Sequence, residues 1–353
     1  MALFQIKNVA IKGVSASVPK NKVNTYDFDF FTKEEANTFI ETVGIENRFM
    51  AGDDVCASDL CFHAAEKLVS DLGWDKNEID ILAFESVTAD YRTPPTSCIL
   101  QERLGLPESC FTLDMPMGCC GSMYAINVIG SMMSAGTVRK ALLLIGDTIT
   151  RMSSPKDKSR IPLFGDCGTA IALEFDESAN DIFVDFNTSG KSFEALITPH
   201  SGFRHQVTPD SFEYEDFGNG VVRAPVHSLI NGMDVFAFAI TKPPKNLVKM
   251  MDYCKLDKDV DVDYFLIHQA NKMIVDRIVK KAKLNPEKVP MNLKDYANCG
   301  GASIPMLMVS NMQKELQEKS LSLVLSSFGL GLTWGTMYLR TDPMVVSDLI
   351  IVN

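Results

Sequence analysis

The sequence predicts an α/β fold built from two similar halves. Short apolar strand patterns alternate with helical patterns along the 353 residues, an order typical of parallel strands with helices on the sheet faces. The segments "DMPMGCCGS" and "DYANCGGAS" also hold similar places in the two halves, and each opens a helix after a short extended segment. We therefore expect a duplicated α/β unit, with halves over residues 1–178 and 179–353 and an active site between them.

The first half follows a strand–helix–strand–helix–strand order. "EIDILAFESV" predicts a strand that ends near Val87, "PTSCILQERLGL" a helix and "CFTLDM" a second strand. A helix over residues 119–135 and a strand over "KALLLIGDT" come next. "CGTAIALEFD" and "DIFVDFNTSG" predict two further strands, which we expect to lie antiparallel at the end of the same sheet.

The second half begins with an irregular segment. Residues 190–225 are rich in Gly, Pro, Phe and His without a clear period, which favours a functional loop or cap. Residues 228–254 predict mainly helix, and "VDYFLIHQ" predicts a strand that runs into a turn. Helices are expected over "NKMIVDRIVKKAKL" and "GASIPMLMVSNMQKELQE", followed by two strands joined by a glycine-rich turn in "LSLVLSSFGLGLTWGTMYLR".

Composition excludes several classes of function. The nine cysteines are odd in number and form no CxxC pair, so we expect neither a disulfide framework nor a metal site, and a cytoplasmic location fits best. The net charge of −11 argues against nucleic acid as the main partner. No run of 18 apolar residues occurs, so no membrane span is expected.

Three segments of the sequence each supply a candidate for chemistry. The adjacent Cys119 and Cys120 begin a helix, where unpaired backbone N–H groups and partial positive charge lower a thiol's pKa. Two small buried hydrophobic residues would give the same pattern, and this segment alone does not decide which thiol reacts. His268 follows a strand at its carboxyl end, where ligand sites gather, and Asn298 is the polar residue before the last glycine-rich helix start.

Several motifs together resemble the ketoacyl-acyl-carrier-protein synthase III family of the thiolase superfamily. They are "DMPMGCCGSMYAI", "FGDCGTAIAL", "HQAN", "YANCGGASIP" and "FGLGLTWGTMYLR", in the family's order and spread over nearly the whole chain. The resemblance implies a thiolase-like fold with five α-β-α-β-α layers. It also implies a homodimer that binds no cofactor and uses acyl carrier protein as its partner.

The resemblance also assigns roles to residues. Counting from Asp114 makes Cys119 the nucleophile, with His268 and Asn298 as its catalytic partners. Cys119 would accept an acyl group from acyl-CoA or an acyl-carrier protein. His268 and Asn298 would stabilise the enolate formed as malonyl-acyl carrier protein loses CO₂, and the backbone N–H groups of Cys119 and Leu330 would form the acyl oxyanion hole.

Five positions depart from the family pattern. Leu330 is the middle residue of a turn that usually has three glycines. Thr38 and Thr42 stand where bacterial housekeeping members carry a tryptophan and an arginine that clamp coenzyme A, and Lys158 replaces a further arginine. Thr93 replaces a phenylalanine that commonly closes the acyl pocket across a dimer interface, so the acyl pocket is expected to admit a larger or unusual group.

A basic helix suggests where a carrier protein docks. Four cations of "NKMIVDRIVKKAKL" follow His268 in a chain that is acidic overall, and acyl carrier proteins are themselves acidic, so electrostatic steering is expected. These cations are Lys272, Arg277, Lys280 and Lys281. A solvated helix face without a partner is the alternative.

Three rival functions remain open at this level. A 3-hydroxy-3-methylglutaryl-CoA synthase would need a carboxylate base, and Glu85 lies about two residues from the required place. A second rival is an acyltransferase of the same fold that transfers its acyl group without decarboxylation. A third is a non-catalytic partner subunit, against which the intact set of Cys119, His268 and Asn298 argues.

Overall fold

The computed structural model of the protein describes residues 2–353. Its strands, in chain order, are β1 (Ala2–Ile6), β2 (Val9–Pro19), β3 (Lys22–Asn24), β4 (Asn47–Phe49), β5 (Ile81–Glu85), β6 (Phe111–Met115), β7 (Lys140–Asp147), β8 (Cys167–Phe175), β9 (Ile182–Thr188), β10 (Leu196–Ile197), β11 (Glu215–Asp216), β12 (Val222–Arg223), β13 (Leu229–Ile230), β14 (Tyr264–Ile267), β15 (Leu321–Gly329), β16 (Thr333–Thr341), β17 (Val345–Val346) and β18 (Ile350–Val352). Its α-helices are α1 (Lys33–Val43), α2 (Ala57–Leu72), α3 (Thr96–Arg103), α4 (Gly121–Met133), α5 (Gly232–Ala239), α6 (Lys242–Cys254), α7 (Lys272–Ala282), α8 (Leu293–Tyr296), α9 (Ser303–Asn311) and α10 (Gln313–Glu318).

Two sheets form the framework. The larger has the strand order β17-β2-β8-β7-β5-β6, with β18 also paired to β2, and the smaller has the order β1-β9-β16-β15-β14. Strand β5 runs parallel to β6 and β7, and β14 runs parallel to β15. Because the carboxyl ends of parallel strands meet at one edge of a sheet, the segments that follow β5, β6 and β7 are brought together there.

Helices cover both sheets and fill the space between them. Helix α2 packs on the outer face of the larger sheet, and α6 and α7 pack on the outer face of the smaller one. Helices α4 and α9 share a single core with both sheets. Central strands are therefore covered on both faces, and β5 is buried along its whole length. The expected five-layer α/β fold is confirmed.

Two neighbouring elements differ from the sequence prediction. Strands β8 and β9 do not pair with each other: β8 lies between β2 and β7, whereas β9 lies between β1 and β16. The short connection over residues 176–181 carries the chain from one sheet to the other. The helix predicted over residues 301–318 is divided into α9 and α10 at Met312, whose φ of −125° and ψ of 11° leave the helical region.

The strands at the two ends of the chain each pair with a strand from the other side of the predicted boundary at residue 178. Strand β1 pairs antiparallel with β9 of the smaller sheet, and β17 and β18 pair parallel with β2 of the larger sheet. Each sheet thus contains strands from both ends of the chain, and the boundary at residue 178 stays a prediction. Within residues 2–353, no helix combines the length and apolar character needed to cross a membrane.

Candidate active site

Cys119 lies in a tight turn between the end of β6 and the start of α4. Gly118–Cys120 form one 3-10 turn. Gly118 has a φ of 56°, and a side chain at this position would meet Leu330, so both the backbone conformation and the close contact require glycine. The Cys119 side chain lines a cavity, whereas Cys120 is fully buried. The turn therefore presents one of the two thiols to a ligand.

The cavity beside Cys119 has a volume of about 360 Å³. This is near the lower end of the roughly 300–1,000 Å³ that is usual for ligand pockets. Its wall is mainly apolar and includes Ile149, Met152 and Phe164. The segment predicted as a cap, residues 190–225, contributes Leu196, Ile197, Thr198 and Ser201 to the same wall. The shape and lining suit a short acyl group.

The turn between β15 and β16 closes on the nucleophile. A side chain at Gly329 would meet the sulfur of Cys119, so the turn lies directly against the thiol. The backbone N–H groups of Leu330 and Cys119 face that sulfur and act to lower its pKa. Leu330 is accommodated because the left-handed φ of this turn, 127°, falls on Gly331. The two N–H groups expected to form the oxyanion hole thus converge on one atom.

The Cys119 thiol is protonated at rest, and the sequence prediction of a lowered pKa is wrong. Burial, followed by the negative charges of Asp147 and Glu85, raises its pKa to about 12. The two backbone N–H donors offset this only in part. The prediction considered the helix start alone, and it did not account for carboxyl groups that other strands bring to the thiol.

Asp147 is a functional candidate that the sequence analysis missed. It is fully buried at the end of β7 and lines the cavity. Its Oδ1 accepts hydrogen bonds from the Ser86 hydroxyl at 2.9 Å and the Val87 N–H at 2.8 Å, while Oδ2 has no partner among the described residues. Burial raises the pKa of Asp147 to about 6. An acidic residue at the carboxyl end of a predicted parallel strand was the available signal.

Glu85 lies beneath the Cys119 turn and outside the cavity. Its Oε1 accepts a hydrogen bond from the Met117 N–H at 3.2 Å, and side chains at Gly121 or Gly301 would meet its carboxyl group. Burial raises the pKa of Glu85 well above its ordinary range. Because this carboxyl group does not line the cavity beside Cys119, it is not placed to act as a base on an acyl group there, and the hydroxymethylglutaryl-CoA synthase alternative gains no support.

His268 follows β14 and is held against β15. Its backbone N–H donates to the carbonyl of Ser326 at 2.8 Å, three residues before the Gly329 that touches Cys119. Its ring lies edge-on to Phe328, with the centroids 5.4 Å apart. Burial lowers its pKa to about 4, so the imidazole is neutral at pH 7. Nδ1 has no partner among the described residues. A neutral imidazole fits the expected role of hydrogen-bond donor.

Asn298 is fixed by the segment that carries Phe164. Its backbone exchanges hydrogen bonds of 3.1 Å with Leu163 and Gly165. Its side-chain Oδ1 accepts from the Gly300 N–H at 3.0 Å, which leaves Nδ2 to donate to a ligand. Gly300 lines the Cys119 cavity, whereas Asn298 and His268 do not. These two side chains are therefore not part of the wall of the apolar cavity.

Leu330 lines the cavity, but the other positions that depart from the family pattern lie outside it. Thr93 is exposed. Thr38 and Thr42 are exposed on α1, and their hydroxyls donate to carbonyls of that helix. Lys158 forms an ion pair of 2.5 Å with Glu35, a residue of α1. The ammonium group that replaces the family's arginine is therefore already paired.

The basic residues of α7 all face solvent. The exposed cations are Lys272, Arg277, Lys280 and Lys281, and the opposite face of the helix is buried against the smaller sheet. One of them is partly neutralised, because Lys272 pairs with Asp276 at 2.7 Å. No group of three or more His, Cys, Asp or Glu side chains in residues 2–353 is placed to bind a metal ion.

Comparison with known proteins identifies relatives along the full length of the chain. The sequence profile of the 3-oxoacyl-[acyl-carrier-protein] synthase III family matches residues 113–191, and that of its C-terminal region matches residues 255–341. A putative 3-oxoacyl-[acyl-carrier-protein] synthase 3 of Campylobacter jejuni is 30% identical over 97% of this chain and 96% of that one. A beta-ketoacyl-[acyl-carrier-protein] synthase III of Clostridium perfringens is 28% identical over 95% and 100%. The crystal structure of a 3-oxoacyl-(acyl-carrier protein) synthase from Burkholderia xenovorans LB400 superposes with a TM-score of 0.93, at 33% identity over 99% of both chains.

Proposed function

Because the chain belongs to the 3-oxoacyl-[acyl-carrier-protein] synthase III family, we propose that it condenses an acyl thioester with malonyl-acyl carrier protein. The products are CO₂ and a 3-oxoacyl-acyl carrier protein, made for fatty acid or related specialised biosynthesis. The observation that carries the proposal is the Cys119 thiol, which lines an apolar cavity and is faced by the backbone N–H groups of Cys119 and Leu330. The enzyme is an acyltransferase, and the reaction uses no bound cofactor.

The first step transfers the acyl group to Cys119. Its sulfur attacks the donor's thioester carbon, the carbon–sulfur bond of the donor breaks, and the proton of the Cys119 thiol ends on the departing thiol. The carbonyl oxygen becomes an oxyanion during the attack, and the N–H groups of Cys119 and Leu330, which face the sulfur, donate hydrogen bonds to it. Each such donor is typically worth roughly 3–4 kcal/mol of transition-state stabilisation.

The second step forms the new carbon–carbon bond. Malonyl-acyl carrier protein loses CO₂, and the electron pair of the broken bond forms an enolate whose oxygen accepts hydrogen bonds from His268 and the Asn298 Nδ2. The enolate carbon attacks acyl-Cys119 and displaces the Cys119 sulfur as a thiolate, which takes a proton from solvent to restore the thiol. Because decarboxylation itself supplies the carbanion, no base is required, and a neutral His268 is suited to donation.

Two protein contacts belong to the same proposal. The exposed cations of α7 are the docking surface for acyl carrier protein, since an acidic partner is attracted to a local basic patch on an acidic chain. The enzyme is a homodimer in which the exposed Thr93 reaches the acyl pocket of the second copy. The protein binds its acyl donor without the tryptophan and arginine that hold the adenine of coenzyme A in housekeeping members of the family. Thr38 and Thr42, which stand at those positions, offer neither an aromatic face nor a cation.

The proposal is tested by offering the protein an acyl donor and malonyl-acyl carrier protein. Acylation is followed as a mass increase on Cys119, and condensation as release of CO₂ with formation of a 3-oxoacyl product. Acyl-Cys119 without CO₂ release would contradict the condensation and support the acyltransferase alternative. If Cys119 reacts with neither acyl donors nor iodoacetamide faster than the other cysteines do, the non-catalytic alternative is supported.

A further inference from the structure

Arg160 places a buried positive charge on the wall of the Cys119 cavity. Only 5% of the residue is exposed, and it lines the cavity together with Cys119. Burial lowers its pKa to about 10, so the guanidinium stays charged at neutral pH. The cavity, otherwise mainly apolar, therefore contains a permanent cation near the nucleophile.

The guanidinium has no anionic partner of its own. Its Nε is buried without a hydrogen-bond partner among the described residues, and none of their ion pairs includes Arg160. The charge that most favours its protonated form is that of Asp157. That carboxylate already accepts from the Ser159 hydroxyl at 2.5 Å and pairs with Arg223 at 3.4 Å.

A buried charge that lacks a partner is costly. Arg160 meets the ring of Phe164, 4.6 Å from its centroid, and this contact orients the guanidinium without neutralising it. Asp147, the carboxyl group that also lines the cavity, forms no ion pair with it. A guanidinium pairs most strongly with a carboxylate or phosphate, through two parallel hydrogen bonds, so the arrangement points to an anion supplied by the substrate.

The position of the cavity indicates which substrate carries this anion. His268 and Asn298, which act on the malonyl group under the proposed function, do not line the cavity, whereas Cys119 does. The cavity therefore receives the acyl group carried by Cys119. We propose that this acyl group is a short dicarboxylic acid half-thioester whose distal carboxylate is bound by Arg160. Its methylene groups would contact apolar residues such as Ile149 and Met152. This inference rests on the proposed function.

The test compares two acyl groups of equal length, one with a distal carboxylate. Acyl-Cys119 formation is measured by intact mass for succinyl and butyryl thioesters, each offered on coenzyme A and on acyl carrier protein. We expect the wild-type protein to form succinyl-Cys119. A hydrogen bond to a charged group contributes about 1.5–3 kcal/mol, so Arg160→Met should lower the ratio of succinyl to butyryl rates by about 10–100-fold. Arg160→Lys, which keeps the charge without the planar fork, should lower it less.

Arg151→Met is the matched control. This arginine is exposed, and it donates to the Val55 carbonyl at 3.1 Å, outside the cavity, so the ratio should not change. The inference is overturned if the wild type does not accept succinyl thioesters, or if Arg160→Met leaves the ratio unaltered. It is also overturned if the substitution changes only the KM for malonyl-acyl carrier protein. Failure of the proposed function looks different, because the wild type would then release no CO₂ with any acyl group.

Discussion

The carboxyl group of Asp147 and the thiol of Cys119 line one cavity, and the negative charge of the first raises the pKa of the second. Removing that charge in Asp147→Asn should lower the pKa of the thiol. Iodoacetamide should then alkylate Cys119 several-fold faster at pH 8, with the midpoint of the pH–rate profile displaced to lower pH. Asp53→Asn, an exposed site, is the control, and an unmoved midpoint in Asp147→Asn would contradict the assignment.

The same substitution should stabilise the fold in a pH-dependent way. Burial raises the pKa of Asp147 from 3.8 to about 6, so the folded state loses relative stability as the pH rises through this interval. The shift corresponds to a cost on the order of 3 kcal/mol above pH 7. Asn removes this cost, and it retains an oxygen that can accept the bonds from Ser86 and Val87. Urea unfolding should show Asp147→Asn to be more stable at pH 8, with the difference shrinking toward pH 4. A gain that does not depend on pH would contradict this.

The two adjacent cysteines should respond in opposite ways to substitution. Cys119→Ala removes the nucleophile and should abolish acylation as detected by intact mass. Cys120→Ala should retain most of it, because the Cys120 sulfur is fully buried and faces the Thr333 carbonyl at 3.7 Å. Equal loss in both variants would show that the turn is disturbed, and it would leave the choice of nucleophile unsupported.

The main site candidates could be predicted because they lie in short ordered motifs. Cys119, His268 and Asn298 each follow a recognisable local pattern, and the parallel pairs around β5 follow from strand–helix alternation. Asp147 and Arg160 lie in segments without such a motif. Their importance depends on which strand ends and loops meet in space, and pairing over long sequence separations sets that arrangement.

The missed features of the fold have a related cause. The residue patterns of β8 and β9 indicate two strands. The sequence of the connection over residues 176–181 does not indicate that it passes from one sheet to the other. The raised pKa of Cys119 likewise arises first from burial and then from carboxyl groups more than 25 residues away in sequence, at positions 147 and 85. A helix-start argument takes no account of such charges.

Removing either side-chain donor to the enolate should separate the two steps of the reaction. His268→Ala or Asn298→Ala should slow decarboxylation of malonyl-acyl carrier protein by roughly 10²–10³-fold, the usual cost of one oxyanion-hole donor. Acylation of Cys119 should persist, because its donors are backbone N–H groups. Release of CO₂ and acyl-Cys119 formation are measured on the same samples, so the retained acylation also reports that the variant is folded. Parallel loss of both activities would contradict separate roles.

The basic face of α7 should determine how tightly the carrier protein binds. Reversing two charges in Lys280→Glu/Lys281→Glu should raise the KM for malonyl-acyl carrier protein about tenfold relative to the KM for malonyl-CoA, because only the carrier presents an extended acidic surface. The difference should shrink as salt is added, since exposed charges are screened over roughly 10 Å at 0.1 M ionic strength. Lys314→Glu, an exposed charge reversal on α10, is the control. If the ratio of the KM for malonyl-acyl carrier protein to the KM for malonyl-CoA is the same in the wild type, the double variant and the control, then α7 is a solvated face and the carrier protein docks elsewhere.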